Sequence, residues 1–221
     1  MELKFCLRCR MSLAVCYCEQ IRPFDAGPLL AVLVHPRENR KRIGTNRMVQ
    51  LGVANSLRFQ GTGEQIERNA EIDALLKDPS LHGRVLYPGK NAIDLDLAKP
   101  EELQALAPGG KRLLVFVIDG TWDQAQQMLH RSPKLRALPQ VMFQPRTPSD
   151  YRIRKQPHEV CLSTVEAVHA LLDRLDRVGL YRLPRNCEED SGPHSQLLTV
   201  FRQMVDRQLQ YQQNNNSAPP A

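Results

Sequence analysis

Four cysteines lie close together near the start of the chain, and their type and spacing are typical of a metal site. The pattern is Cys6-x2-Cys9-x6-Cys16-x-Cys18, which supplies four soft ligands and two tight turns able to close around one tetrahedral zinc ion. The alternatives are a redox-active pair and reactive free thiols. A thioredoxin-like pair stands between a strand and a helix, whereas almost no chain precedes Cys6, so the pattern favours structural zinc.

A second candidate site follows an aliphatic run. Residues 113–118 have the pattern of a buried strand, and they end in Asp119-Gly120-Thr121-Trp122 before a helical stretch. Gly120 permits a sharp turn, and Thr121 can cap the helix that follows. The alternative is that Asp119 is a turn residue and Trp122 a core aromatic, since Asp-Gly is a common turn dipeptide. The residues alone leave both interpretations open.

The elements that position these residues belong to an α/β domain. Short aliphatic runs alternate with amphipathic segments from residue 28 onward, which is typical of a largely parallel sheet. The predicted strands are residues 29–34, 84–87, 113–118, 140–143 and 159–162. The predicted helices are residues 45–57, 99–106, 121–131, 164–177 and 196–210. Ligands of open α/β sheets bind at the carboxyl ends of strands, where Asp119 is expected to lie.

The chain divides into three predicted segments. Residues 1–24 form a compact zinc-binding module, and residues 28–211 form the α/β domain. Residues 212–221 are rich in Gln, Asn and Pro and have no apolar face, so we expect a disordered tail.

The composition limits the classes of function. Thirty Lys and Arg against 24 Asp and Glu give a net charge of +6 and a pI near 9.1, which suits a polyanionic partner without establishing one. The longest aliphatic run, residues 29–34, is far shorter than the ~20 residues of a membrane span. The first residues resemble neither a secretory signal nor an organelle presequence, so we expect the cytoplasm.

Basic residues form two clusters in predicted loops. The first comprises Arg37, Arg40, Lys41, Arg42 and Arg47. The second comprises Arg146, Arg152, Arg154 and Lys155. One charge run is usually a solvated surface, but two clusters with Tyr151 interleaved fit contacts to a phosphate backbone better.

Seven stretches of the sequence resemble, in order, the DTW-domain family, which is named for an Asp-x-Thr-Trp motif. They are the four cysteines, residues 34–38 with 45–46, residues 87–89, residues 119–122, residues 132–135, residues 151–155 and residues 162–167. The fold of this family is similar to the SPOUT class, an α/β sheet whose C-terminal part is threaded into a knot. The resemblance therefore implies a SPOUT-like domain with a C-terminal knot, a rare feature in proteins.

The resemblance also implies an activity. The family includes bacterial tRNA-uridine aminocarboxypropyltransferases, which move the 3-amino-3-carboxypropyl group of S-adenosylmethionine to N3 of a variable-loop uridine and release methylthioadenosine. Uridine N3 must lose its proton and align behind the γ-carbon of the methionine moiety. Asp119 is then the candidate base or N3-orienting acceptor, and Thr121 and Trp122 complete the catalytic motif. Trp122 either stacks on the uracil or belongs to the core.

Binding residues follow from the same resemblance. Ser163 and Thr164 enter a predicted helix, where backbone amides and hydroxyls can receive the donor carboxylate, although a simple N-cap with Glu166 fits them equally. The adenosine pocket is expected at strand ends, near Val34, Leu86 and Ile118. The tRNA contacts are expected from Arg37, Arg47, Arg152, Arg154 and Lys155. The sequence identifies no protein partner.

Two other functions fit the sequence. One is a SPOUT-class RNA methyltransferase, which uses the same donor but transfers its methyl group. The other is a zinc-containing RNA-binding protein without catalysis, in which Asp119 and Ser163 would be replaceable and the basic residues would not.

Overall fold

The computed structural model describes residues 4–41, 43–153, 161–183 and 192–216, and its centre is a six-stranded sheet whose paired strands all run parallel. The strands are β1 (Leu29–Val34), β2 (Ser56–Gln60), β3 (Leu81–Leu86), β4 (Ile93–Asp94), β5 (Arg112–Asp119) and β6 (Gln140–Met142). Their order across the sheet is β2-β1-β5-β3-β6-β4. The predicted α/β class with a mostly parallel sheet is confirmed.

Helices connect and cover the strands. In the described residues they are α1 (Pro36–Asn39), α2 (Asn46–Gly52), α3 (Gly63–Glu67), α4 (Ala70–Lys77), α5 (Pro100–Gln104), α6 (Trp122–His130), α7 (Pro133–Arg136), α8 (Thr164–Arg177) and α9 (Ser195–Asn216). None of the helices in the described ranges has the length and apolar character needed to cross a membrane.

The sheet separates two hydrophobic cores, because side chains alternate along its strands. On β5, Val115 and Val117 belong to one core and Leu114 and Phe116 to the other. The first core is completed by α2, α8 and α9, and the second by α3, α4, α6 and α7. Burial on both faces explains why β1 and residues 113–118 of β5 are continuous apolar runs in the sequence.

The N-terminal segment packs into the first of these cores. Val15, Tyr17 and Ile21 are buried in the same cluster as residues of β1 and α9. Arg207 of α9 donates a hydrogen bond from Nη1 to the carbonyl oxygen of Cys16 over 3.4 Å. The packing of this predicted module is therefore continuous with that of the α/β domain.

The predicted helix at 45–57 is wrong in its second half. The helix α2 ends at Gly52, and β2 follows, paired with β1 from Leu30–Ser56 to Val34–Gln60. The intervening turn is fixed by Asn55, whose side chain accepts a hydrogen bond from the Ala26 amide and donates one to the Pro28 carbonyl. As a short edge strand, β2 has too few apolar residues to be recognised by periodicity.

Other boundaries differ in part from the predictions. The strand β4 and the helices α1, α3, α4 and α7 have no counterpart among the predicted elements, whereas α8 has the predicted bounds. Of the predicted strand 159–162, residues 159 and 160 lie outside the described residues, and the other two are not in a strand. The helix α9 continues to Asn216, so residues 212–216 of the predicted tail are helical, and residues 217–221 are not described.

Candidate active site and metal centre

Asp119 lies at the carboxyl end of β5, in the middle of the sheet. It pairs in register with Val34 of β1, and its carbonyl oxygen accepts a hydrogen bond from the His35 amide over 3.0 Å. Only 8% of the residue is exposed. Although β5 is a central strand, its last residue lies at the end of the sheet where the carboxyl termini of the parallel strands meet. Parallel α/β sheets bind ligands at this end, as the sequence predicts for Asp119.

Two side chains from different elements donate hydrogen bonds to this carboxylate. Asn46, at the start of α2, donates from Nδ2 to Asp119 Oδ2 over 2.7 Å. Thr164, the first residue of α8, donates from Oγ1 to Asp119 Oδ1. Asp119 therefore joins the start of two helices to the end of the central strand. It also brings together a predicted catalytic residue and a predicted donor-binding residue.

Arg58 of β2 extends this cluster, and no sequence pattern singles it out. Its Nε donates to Asn46 Oδ1 over 3.2 Å, and its Nη2 donates to Asn39 Oδ1. Burial lowers the pKa of Arg58, while the negative charge of Asp119 opposes that effect. The guanidinium thus lies within electrostatic reach of the carboxylate.

The turn after Asp119 caps α6 as predicted. Thr121 Oγ1 accepts a hydrogen bond from the Gln124 amide, and Gln124 Oε1 accepts one from the Thr121 amide, which completes a capping box. Gly120 does not have a positive φ, so the turn does not need glycine for its backbone conformation. A Cβ added there would lie 3.1 Å from Gln124 Cβ, so the glycine instead permits close packing.

Trp122 is not a core residue. It is 55% exposed at the first position of α6, and its ring stacks on Tyr87, which follows β3. The ring centroids lie 5.2 Å apart and the planes are inclined by 14°. Pairing of β3 with β5 brings the two aromatic residues to the same edge of the sheet as Asp119. Tyr87 lies in a family-like stretch, but no pattern in the sequence assigns it a role.

The predicted donor-binding residues lie at the start of α8. Ser163 is the N-cap residue, and its amide donates to Glu166 Oε2 over 2.8 Å. Its hydroxyl oxygen is buried and has no hydrogen-bond partner among the described residues. Glu166 also accepts from the Asp150 amide and the Ser149 hydroxyl, which fixes the loop before residue 154. The N-cap interpretation is confirmed, and the hydroxyl of Ser163 is not used by the cap.

The predicted adenosine-pocket residues lie in register at the same sheet edge. Val34 pairs with Asp119, Leu33 with Ile118, and Leu86 with Val117. The Val34 side chain is fully buried in the hydrophobic core, so only its backbone is available at the edge. Leu86 and Ile118 are partly exposed.

The predicted RNA-binding arginines have different environments. Arg37 is exposed on α1, and Arg152 forms an ion pair with Asp206 over 2.5 Å. Arg47 is only 7% exposed, and its Nη2 donates to Asn39 Oδ1 over 3.1 Å, so it is held within the fold. Arg154 and Lys155 lie outside the described residues.

The four clustered cysteines have the geometry of a zinc site. Their sulfur atoms all lie within 4.8 Å of one another, with Cys6 and Cys18 at 3.7 Å and Cys9 and Cys16 at 3.7 Å. Four zinc–sulfur bonds of ~2.3 Å in a tetrahedron would place the sulfurs ~3.8 Å apart. The donor set and spacing therefore fit zinc.

The turn around Cys6 favours a thiolate. Backbone hydrogen bonds from Cys9 and then Arg8 lower the pKa of the Cys6 thiol to about 7, although burial opposes them. Arg10 has a left-handed φ of 61°, and its amide donates to the Cys6 carbonyl over 2.8 Å. This tight turn directs the first two sulfurs to one point. Burial raises the pKa of Cys9, so this thiol favours its protonated form unless a bound cation stabilises the thiolate.

Comparison with known proteins assigns the family. Residues 3–209 match the DTW domain, and the chain belongs to this family. It is 34% identical over 176 residues to tRNA-uridine aminocarboxypropyltransferase 2 of Drosophila melanogaster, covering 77% of this chain and 66% of the relative. It is 27% identical over 210 residues to the Mus musculus protein of the same name, covering 93% and 64%. The chain thus spans just under two thirds of the length of these relatives. No solved structure matches it.

Proposed function

We propose that this protein transfers the 3-amino-3-carboxypropyl group of S-adenosylmethionine to N3 of a uridine in tRNA. The observation that carries the proposal is the cluster of Asp119, Asn46 and Thr164 at the sheet edge in a chain that belongs to the DTW family. Relatives that match most of this chain are named tRNA-uridine aminocarboxypropyltransferase 2. By the family resemblance, the acceptor is a variable-loop uridine.

The reaction forms one bond and breaks one. Uridine N3 attacks the γ-carbon of the methionine moiety, the carbon–sulfur bond breaks, and its electron pair neutralises the sulfonium to give methylthioadenosine. The N3 proton goes to a base. Because the leaving group is neutral, the protein needs no acid there, and alignment and deprotonation supply the acceleration.

The arrangement of the site supports the following roles for its residues. Asp119 accepts the N3 proton or orients N3, and Thr121 holds the turn that places it. The donor carboxylate binds at the start of α8, where the buried Ser163 hydroxyl lacks a partner among the described residues and the helix N-terminus favours an anion. Trp122 offers an exposed ring on which the target base can stack.

The all-parallel sheet supports a SPOUT-like domain, and the proposed knot would involve the connection from β6 to α8, of which residues 154–160 are not described. Zinc held by the four cysteines would stabilise the N-terminal segment without taking part in the chemistry. A tRNA substrate suits the cytoplasm, which we propose as the location.

Nucleoside mass spectrometry tests the function. Transfer RNA from cells that lack and then regain this gene should lose and recover a uridine carrying aminocarboxypropyl. The purified protein should form the same nucleoside from S-adenosylmethionine and unmodified tRNA. A methyl mass increment would instead identify the methyltransferase alternative, and tRNA binding without any modified nucleoside would identify a binding protein.

A further inference from the structure

A chain of hydrogen bonds reaches Asp119 from β2, a strand to which the sequence assigns no function. Arg58 Nε donates to Asn46 Oδ1 over 3.2 Å, and Asn46 Nδ2 donates to Asp119 Oδ2 over 2.7 Å. These two hydrogen bonds therefore link the positive charge of Arg58 to the carboxylate of Asp119 through one side-chain amide. Asn46 is only 1% exposed, so water does not readily replace either partner.

The orientation of the Asn46 amide determines what Asp119 contacts. A side-chain amide has one accepting and one donating end, and the Arg58 donor holds the accepting end of Asn46. The donating end must then face Asp119. Without that donor nothing fixes the accepting end, so the amide can rotate away from the geometry in which it donates to Asp119.

Arg58 is itself held from its far side. Its Nη2 donates to Asn39 Oδ1, and this oxygen also accepts a hydrogen bond from Arg47 Nη2 over 3.1 Å. Asn39 in turn donates to Gln60 at the end of β2. The guanidinium is thus fixed at two nitrogens, and Arg58 and Arg47 converge on one neutral oxygen. A lysine cannot reproduce this arrangement, because its ammonium group lacks the two separate nitrogen donors of the planar guanidinium.

We propose that Arg58 and Asn46 are positioning residues that hold the Asp119 carboxylate in the orientation needed to receive or orient uridine N3. The proposal rests on the proposed transfer and deepens it. Arg58 acts through Asn46 and Asn46 through Asp119, with no contact to the substrates required. Correct placement of a reacting group can change a rate by ~10²-fold for a shift of ~1 Å.

Two substitutions of Arg58 separate orientation from charge. Arg58→Met removes every donor and should lower kcat for tRNA aminocarboxypropylation by ~10- to 100-fold, with little change in KM for either substrate. Arg58→Gln places Nε2 where Arg58 has Nε, so it can still orient Asn46 without a charge. It should keep kcat within ~3-fold of the parent. Parental kcat for the Met variant, or equal losses for both variants, would overturn the proposal.

A double-mutant cycle tests whether Arg58 acts through Asp119. In an Asp119→Asn background, Arg58→Met should lower the residual rate by less than ~2-fold, because the carboxylate that it positions is absent. A full additional loss would mean that Arg58 acts independently, which overturns the proposal. Asn46→Ala removes the amide between Arg58 and Asp119 and leaves β2 unchanged. It should lower kcat as Arg58→Met does, and it provides this test even if Arg58→Met folds poorly.

A matched control is available on another strand of the sheet. Arg84 of β3 is 6% exposed and donates to the Ala105 carbonyl, outside the chain of hydrogen bonds to Asp119. Arg84→Met should therefore keep kcat near the parental value at a temperature where all variants are folded by thermal melting. If the parent itself modifies no tRNA, the proposed function fails. If the parent is active and Arg58→Met equals it, only the positioning role fails.

Discussion

Tyr87 covers one side of Trp122 in a nearly parallel stack, with ring centroids 5.2 Å apart, while 55% of Trp122 stays exposed. The two residues follow neighbouring parallel strands, so the sheet itself aligns them. A supported aromatic ring beside a polar cluster is a surface on which a nucleobase can stack. Burial raises the pKa of Tyr87, which keeps its hydroxyl protonated and the side chain neutral.

Replacing Trp122 should weaken tRNA binding without unfolding the protein. Base stacking on an aromatic ring contributes ~1–3 kcal/mol, so Trp122→Ala should raise KM for tRNA by ~10-fold or more, and Trp122→Phe should raise it less. Steady-state kinetics with tRNA as the varied substrate measures the effect. Leu97→Ala is the control, since Leu97 is also exposed but follows β4, which lies three strands away from β5 in the sheet. An unchanged KM in Trp122→Ala would exclude stacking.

Asp119→Asn should separate binding from transfer. The new amide nitrogen can face Thr164, whose hydroxyl accepts as well as donates, while the remaining oxygen accepts from Asn46. The turn should therefore survive, and binding of S-adenosylmethionine and tRNA with it. Transfer should fall by ~10²-fold or more if Asp119 is the base.

The control for this substitution is thermal stability of the same variant, because Asp119 also joins α2 and α8 to β5. A variant that melts with the parent and transfers at a near-parental rate would show that Asp119 is not the base.

Removing a zinc ligand should affect the whole chain. Metal analysis of reduced protein should find one zinc per chain, and Cys9→Ser should release it. Because Cys9 is buried in the same core as β1 and α9, we expect a lower Tm for the main unfolding transition. Cys161→Ser, outside the cluster, should leave metal content unchanged. Parental zinc content in Cys9→Ser would reject the four-cysteine site.

Neutralising the second basic cluster should reduce the salt dependence of tRNA binding. Arg152 is paired with Asp206 on the surface, and such pairs contribute at most ~1 kcal/mol, so the guanidinium can move to a phosphate. Joint replacement of Arg152, Arg154 and Lys155 by Gln should lower the log–log salt slope by ~0.7 to 0.9 for each phosphate that is no longer neutralised. Filter-binding titrations at several salt concentrations measure this slope. Donor affinity should not change.

An exposed arginine elsewhere provides the control. Arg131 forms an ion pair with Glu64 and is not part of the second basic cluster. Arg131→Gln should leave the salt slope of tRNA binding unaltered. A parental slope in the triple variant would mean that these three residues do not bind phosphates.

Stability should decrease in mild acid because of His169. Burial, and then the neighbouring His194, lower the pKa of His169 to about 4, although Asp173 partly opposes them. The unfolded chain takes up this proton near pH ~6.5, so between about 6.5 and 4 it binds more protons than the native state. Stability should therefore fall as the pH decreases through this window, by about 2 kcal/mol at pH ~5.

Urea unfolding at pH ~7.5 and pH ~5 measures this effect. His169→Gln should lose less stability between the two pH values than the parent, since it cannot take up the proton. His130→Gln, at an exposed position at the end of α6, should keep the parental difference. Equal pH dependence in His169→Gln and the parent would show that His169 is not the cause.

The centre of the fold is easier to predict from the sequence than its edge. β1 and α8 have the predicted bounds, because a doubly buried aliphatic run and a long capped amphipathic helix carry strong local signals. Neither β2 nor the role of Arg58 follows from the local pattern, because the position of this strand depends on pairing with β1. Strand order is a long-range property that periodicity does not encode.

The candidate site is predictable in the same uneven way. Motifs identify Asp119 and Thr164, and the structure brings them into contact. The contact of Tyr87 with Trp122 depends on β3 lying beside β5, which no local pattern reveals. The sequence places Arg47 at the RNA surface, but burial and the nearby Asn39 acceptor hold it inside. Charge in a sequence does not distinguish a surface arginine from one that supports a loop.

The contact between Cys16 and Arg207 has a consequence for biosynthesis. The two residues are 191 positions apart, so the four clustered cysteines leave the ribosome long before α9 is made. Closing so long a loop is slow compared with local folding. The thiols therefore remain open to metal and to oxidants during translation, and the segment that carries them becomes protected only after α9 has docked.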